Sequence, residues 1–597
     1  MDSQANMDVP AIATDVSSPT TMQREGAASP LAVTWLIVVS TLLRLVWAGS
    51  LGPGNDEAYH YLFVTHPDWS YFDHPPLMAM VERFGLAVTG GVATIFTLRF
   101  GFVLLFAAST WLLARLATRF FGPRAGFWAA LALNVSGYHS AAAGVFILPD
   151  GPLLFFWLLT LERLAAAFDL PWPAEGPSSK PARSKFDSYG TWLCVGLAWG
   201  GAMLSKYHGL FLPVGTCLFC LINRDARRAL RTPGPYLAAV AGLAVFSPVL
   251  IWNAEHGWVS FAFQGSRALA EGAAKLRVDA LLTAVLGQAV YLFPWIWLPM
   301  AVMLLRQLAD VARGRSSEPA ALFLTCQAVV PLGAFLAVAT IRPILPHWTL
   351  IGFVALYPLL GRAWAAASMI HPQRSRRRLI WLVSTPIALA CLVAAQTHWG
   401  VFQRAAATLA SRLAPTAFSQ VAAARPTADA RPRVLKGDPT ADMYGWDQVV
   451  EELDRRGLLD RPSTFLFTNN WTHSGQLAFA ARRRRSTVLC FNQPDARGFA
   501  FWSRPDAWLG RDGVLVALND NPVEPDCYDS WFSKITPIGS FEVVRGGVAV
   551  RRIRLFLCVN HKRPFPFDHL AKFGQTSTAA AATSPVATRA EAAATRR

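Results

Sequence analysis

The chain has 597 residues, 53% of them hydrophobic and only 16% charged, with a formal net charge of +17 and a positive mean hydropathy. An ordinary globular domain carries about 25% charged residues, so this composition excludes a conventional soluble enzyme and requires contact with lipid. Much of the positive charge has a topological explanation, given below, and a nucleic-acid partner is not expected.

Residues 1–29 are polar and low in complexity, and they read as a disordered segment. The apolar block that follows reads as an uncleaved first helix rather than a signal peptide. A membrane helix needs about 20 apolar residues. Eleven blocks of roughly that kind occur, at about 31–48, 93–113, 124–143, 145–167, 189–205, 208–222, 236–252, 280–304, 320–340, 348–361 and 379–398. They are continuous runs, not alternating ten-residue strands, which excludes a β-barrel. The expected class is therefore an α-helical multi-span membrane domain over 30–398.

Basic residues fall in alternate loops. These are Arg119 and Arg124; Lys180, Arg183 and Lys185; Arg224, Arg227, Arg228 and Arg231; Arg313 and Arg315; and Arg374, Arg376, Arg377 and Arg378. By the positive-inside rule these loops are cytoplasmic, and an odd number of spans puts everything after about residue 399 outside. Residues 399–574 read as a small α/β domain, with a helix at 446–456 and strands at 464–468, 487–491, 514–518 and 548–557. Residues 575–597 are Ala/Thr-rich and read as a disordered tail. Of eight cysteines, Cys194, Cys217, Cys220, Cys326 and Cys391 fall in apolar blocks and read as packing residues. One disulfide among Cys490, Cys527 and Cys558 is open, without a defined pairing.

Candidate chemistry gathers at the outer ends of the blocks. The first outer loop holds the adjacent acids Asp56 and Glu57, then Asp73 and His74 before a Pro-Pro pair. Asp150 opens the fourth block, Lys206 and Tyr207 break the fifth from the sixth, His256 ends the seventh, and Arg342 and His347 lie between the ninth and tenth. Any one of these could be a solvated loop residue or a snorkelling lysine. Ionisable groups beside apolar spans are costly, and their gathering on one face with both signs present fits a site for an anionic substrate. A carboxylate there could accept a proton from an attacking hydroxyl, and lysine or arginine could stabilise a departing phosphate. No nucleotide-binding Gly-rich loop is present, which fits a lipid-linked donor. Asp73, His74 and His256 are metal-ligand types but come from distant loops, and Lys206 and Arg342 can supply the positive charge, so neither a metal nor a cofactor is expected.

The segments Asp56-Glu-Ala-Tyr59, Tyr71-Phe-Asp-His-Pro-Pro76, Leu148-Pro-Asp150, Leu204-Ser-Lys-Tyr207, Ile251-Trp-Asn-Ala-Glu-His-Gly-Trp258 and Pro346-His-Trp348 resemble, in order, the bacterial members of the dolichyl-phosphate-mannose protein mannosyltransferase family. More distantly they are similar to the lipid A aminoarabinose transferases. The stretch from Asp438 to Trp446 is similar to a recurring element of bacterial members. The resemblance implies a GT-C fold, a site facing away from the cytoplasm and a polyprenyl-phosphate-linked sugar as donor. It implies Asp56 as general base with Glu57 its neighbour, Asp150 as a further site acid, and Lys206 near the donor phosphate. Asp73 resembles an acid that is Glu in the lipid A enzymes, and His74 stands where they have Lys.

The expected function is an inverting membrane glycosyltransferase of the plasma (inner) membrane. It would move a sugar from a polyprenyl-phosphate donor to a hydroxyl on a lipid, glycan or protein acceptor. The competing reading is a multi-span transporter or flippase, which should have paired halves and ionisable groups near the midplane.

Overall fold

The computed structural model describes residues 30–170, 188–268, 276–315, 318–413, 438, 440–504, 506–519 and 523–567. The expected disordered ends and the loop residues Lys180, Arg183 and Lys185 lie outside the described residues.

The helices of eight or more residues begin with α1 (Pro30–Ser50), α2 (Asn55–Thr65), α3 (Leu77–Val88), α4 (Ile95–Phe121), α5 (Pro123–Val135) and α6 (Asp150–Ala167). Next come α7 (Tyr189–Ser205), α8 (Phe211–Ile222), α9 (Gly234–Glu255), α10 (Val259–Ala268), α11 (Val278–Leu292) and α12 (Pro294–Ala312). Then follow α13 (Pro319–Ala339), α14 (Tyr357–Ile370), α15 (Pro372–Trp399), α16 (Val401–Leu413), α17 (Trp446–Arg455) and α18 (Trp471–Ala480). Six helices among the described residues are long and apolar enough to cross a membrane: α1 from Leu31, α4, α9, α12, α13 and α15. Two bent pairs bring the number to eight, Tyr207–Ile222 with Arg224–Arg231 and Pro346–Val354 with Tyr357–Ile370. The other blocks expected to span are helical but shorter, as α5 with 13 residues, or more charged, as α6 with Asp150, Glu162 and Arg163.

More than one block departs from its reading as a single span, and the block at 348–361 is bent by 62° between Pro346–Val354 and Tyr357–Ile370. Residues 280–304 form α11 and α12, divided at Phe293, whose φ is +68°. Pro294 has no N–H to continue the first helix and suits the first turn of the second. Hydropathy averages across such a break and does not register it.

The membrane core lies between α4, α5, α6, α13 and α14, where Leu113, Ala129, Trp157, Phe323 and Leu360 are buried together. Small residues let helices approach, as expected in lipid: a Cβ on Gly196 of α7 would stand 2.3 Å from the Ala238 carbonyl oxygen of α9. Large apolar side chains face outward, among them Trp35 and Val46 of α1, Leu286 of α11 and Leu305 of α12, which suits a lipid-facing surface.

The C-terminal α/β unit has a five-stranded mixed sheet of β1 (Thr464–Thr468), β2 (Val488–Cys490), β3 (Asp512–Leu518), β4 (Phe532–Arg545) and β5 (Val548–His561), in the order β2-β1-β3-β5-β4. β1 is parallel to β2 and β3, while β5 is antiparallel to β3 and β4. The sequence reading omitted β4. It is a half-exposed edge strand with register shifts at Pro537/Gly539 and Val543/Val544, and Pro and Gly in a strand pattern are compatible only with an edge or bulge. Cys490, Cys527 and Cys558 are free thiols, as are the other cysteines.

This unit shares its core with the membrane part. Tyr59, Tyr61, Leu62 and Phe63 of α2 are buried with Phe467 and Phe479 of the α/β unit. α2 is thereby clamped between the two halves of the molecule.

Candidate functional site

The N-terminus of α2 fixes the two adjacent acids in opposite surroundings. Glu57 closes a capping box, accepting from the Gly54 amide at 2.9 Å. Arg99 of α4 donates to Glu57 Oε1 from Nε at 2.8 Å and to Oε2 from Nη2 at 2.6 Å, and the Ile147 amide donates to Oε1 at 3.0 Å. Arg99 also donates to the carbonyls of Ala48, Leu51 and Gly52. Glu57 is 3% and Arg99 0% exposed. This carboxylate is buried and saturated, and it ties α1, α2, α4 and the segment before α6 together. Asp56, one residue earlier, is exposed.

Within electrostatic reach of Asp56 is Tyr138, a member of a cluster gathered from separate segments. Asp56 and Asp150 both act electrostatically on Tyr138. Tyr138 stacks on His347 at 5.5 Å between ring centroids with planes 14° apart. Asp150, the first residue of α6, receives Lys206 Nζ on both carboxylate oxygens at 3.0 Å, and His347 and His208 lie within its field. Lys206 is extended (φ −159°, ψ 144°) at the break after α7, so the chain turns there and aims the ammonium inward. Tyr207 packs on Phe246 and Phe261 beside it.

A second group adjoins the first. Asp73, 2% exposed, accepts from the Tyr59 hydroxyl at 3.2 Å, and Arg497 of the α/β unit lies 3.4 Å from its other oxygen. Gln264 holds the Asp73 carbonyl at 2.9 Å. His74 is the meeting point of the two groups. Burial, then His60, Lys206, Arg267 and Arg497, hold its imidazole well below the usual histidine value. Arg267 of α10 lies over Trp348 at 4.8 Å and Phe263 at 5.4 Å and within the field of Arg342. Arg342 donates to the Ser266 carbonyl at 2.6 Å, which puts it at the rim.

The sequence candidates thus separate into kinds. Asp150, Lys206 and His347 are brought together, with Tyr207 flanking them and Asp56 in electrostatic reach of Tyr138; Asp73, His74 and Arg342 stand in the adjoining group. His256 has a local role: its Nδ1 lies 2.7 Å from the Trp252 carbonyl and its ring stacks on Trp252 at 4.0 Å, while Trp252 Nε1 donates to Asp68 at 2.8 Å. Sequence reasoning missed Tyr138, Arg267 and Arg497. Arg267 ends an unremarkable amphipathic helix, and Arg497 lies 424 residues from its partner Asp73. Among the described residues no group of three or more His, Cys, Asp or Glu side chains is placed to hold a metal ion.

The sequence profile of the dolichyl-phosphate-mannose-protein mannosyltransferase family matches residues 73–173 and 182–252. The lipid A galacturonosyltransferase RgtD of Rhizobium johnstonii is 32% identical over 203 residues, 34% of this chain and 38% of that protein; the chain therefore matches well under half the length of this relative. The crystal structure of ArnT from Cupriavidus metallidurans bound to undecaprenyl phosphate aligns with 88% of this chain and 98% of its own, at TM-score 0.53 and 16% identity. The apo form of ArnT aligns over the same shares at TM-score 0.51 and 18% identity. These two likenesses speak to the fold, and the family profile covers the segments that carry Asp73, Asp150 and Lys206. The chain is a multi-pass membrane protein that shares the fold of ArnT, the GT-C fold expected from the sequence, and part of it is similar in sequence to the mannosyltransferase profile and to RgtD.

Proposed function

We propose that this protein is an inverting glycosyltransferase. It moves a sugar from a polyprenyl-phosphate donor to an acceptor hydroxyl on the outer side of the plasma (inner) membrane, with the α/β unit on that side. The observation that carries the reading is the largely buried Asp150–Lys206 pair beside the basic surround of His74, with the exposed carboxylate of Asp56 in electrostatic reach of Tyr138, which Asp150 also influences. Asp56 accepts the proton of the acceptor hydroxyl as its oxygen attacks the anomeric carbon. The bond from that carbon to the phosphate oxygen breaks, and the phosphate leaves with the electron pair toward Lys206 and Arg267. Asp150 holds the lysine on target, and Glu57 keeps the N-terminus of α2 in place rather than taking the proton.

A relative named for lipid A and galacturonosyl transfer favours a glycolipid acceptor over a protein one. The transporter reading is less favoured, because the matching family profile and the lipid A relative are both named for glycosyl transfer. The test is transfer by the purified full-length protein in liposomes, supplied with lipid A and polyprenyl-phosphate-linked sugars. Formation of a glycosylated lipid with release of polyprenyl phosphate supports the reading; donor movement across the bilayer without transfer overturns it.

A further inference from the structure

Arg497 has several features that a surface arginine lacks. Its φ is +51°, a left-handed conformation that a non-glycine residue adopts at a cost and that persists only where surroundings enforce it. Its side chain is only 17% exposed and lies between two aromatic faces, Trp471 at 4.6 Å and Phe263 of α10 at 5.0 Å. One of these rings belongs to the α/β unit and the other to the membrane part. The next residue, Gly498, donates its amide to the Tyr59 hydroxyl at 2.9 Å, and that hydroxyl donates in turn to Asp73.

The guanidinium is held but not saturated. Nε donates to Asp495 at 2.9 Å and Nη1 to Asp73 at 3.4 Å. The second contact is longer than the 2.7–2.9 Å typical of a charge-assisted bond. Among the described residues Nη2 has no hydrogen-bond partner within the protein. The positive field of Arg497 reaches His74 together with those of Lys206 and Arg267.

We propose that Arg497 is a donor-binding residue contributed by the α/β unit. It takes the donor's phosphate alongside Lys206 and Arg267, and Asp73 acts as the placeholder that the phosphate displaces. The strained backbone and the two rings hold the guanidinium in position before the donor arrives, which reduces the ordering cost of binding. The α/β unit is then part of the donor site and not an appendage to it. This rests on the polyprenyl-phosphate reading above.

The experiment measures binding of undecaprenyl phosphate, with undecaprenol as the uncharged control, to the full-length protein in detergent. Wild type should prefer the phosphate, and Arg497→Ala should bind it about tenfold or more weakly with undecaprenol binding unchanged. Arg497→Lys should recover part of the loss. Asp73→Asn is the decisive variant, because removing a displaceable competitor should leave phosphate binding equal or tighter. If Asp73→Asn and Arg497→Ala weaken binding equally, the pair is purely structural and the proposal is overturned. Unchanged binding by Arg497→Ala also overturns it, while Lys206→Ala still weakened would leave the broader reading standing. A wild type with no preference for the phosphate overturns both.

Discussion

Gly475 lies so close to Tyr59 that a Cβ at position 475 would stand 2.9 Å from the Tyr59 Cα and 3.0 Å from its nitrogen. These are backbone atoms of α2, so they cannot swing aside as a flexible side-chain end could. The contact fixes α18 against the helix that carries Asp56, and Gln476 secures it by donating to the Pro53 carbonyl at 3.0 Å and to Asn55 at 3.2 Å. Gly475→Val should cost about 1–3 kcal/mol through overpacking and loosen the α/β unit. Limited proteolysis and thermal melting in detergent are the checks; a variant as resistant as wild type would mean that the close approach is dispensable.

The two acids at the start of α2 should respond to substitution in opposite ways. Asp56→Asn keeps the size and removes the proton acceptor, so transfer should fall by about 100-fold or more with little change in melting temperature. Glu57→Gln leaves Arg99 buried opposite a neutral amide and should destabilise the fold by about 3–5 kcal/mol. Turnover and melting temperature measured on both variants decide this; near-normal turnover by Asp56→Asn would remove Asp56 from its role.

Lys206→Ala should raise the donor KM and, by leaving Asp150 without its partner, also lower stability, whereas Lys206→Ala combined with Asp150→Asn should keep the KM effect and regain stability. Donor affinity equal to wild type, together with poor insertion, would instead make Lys206 a structural partner of Asp150.

Acid should weaken the attachment of the α/β unit through Asp438. Burial pushes this carboxyl up, and hydrogen bonds from the Thr440 hydroxyl and amide, Gln396 and Gln403 more than reverse that, leaving it below its ordinary value. A depressed folded-state value contributes stability that is present above the unfolded pKa, about 3.9, and is lost as pH falls through the folded one. Asp438→Asn should therefore be less stable at neutral pH and show a shallower loss of stability below about pH 4. Hydrogen exchange of the α/β unit across that range would reveal it, and identical acid limbs would count against Asp438.

Sidedness follows from the same assignment. Single cysteines at positions 227 and 376 should resist an impermeant thiol reagent in intact cells, while one at position 56 should react. Labelling at 56 only after the membrane is opened would put the proposed site on the wrong side.

Composition and block length determined the membrane class, and the position of Asp56, Asp150 and Lys206 at block ends made most of the candidate site legible. Helix-forming runs and the hydrophobic strands β1 and β3 carry their signal within a few residues, so they could be read directly. The division at Phe293 and the edge strand β4 could not, because hydropathy averages over a break and an edge strand need not alternate cleanly. Glu57 and Asp56 are indistinguishable by type and spacing. Arg99, 42 residues away, and the Ile147 amide, 90 away, make one a buried anchor and leave the other exposed. Arg267 and Arg497 acquire meaning only where α10 and the α/β unit meet the turn at Asp73. Burial and long-range pairing set the role of a charged side chain, and both arise only when segments distant in sequence pack together.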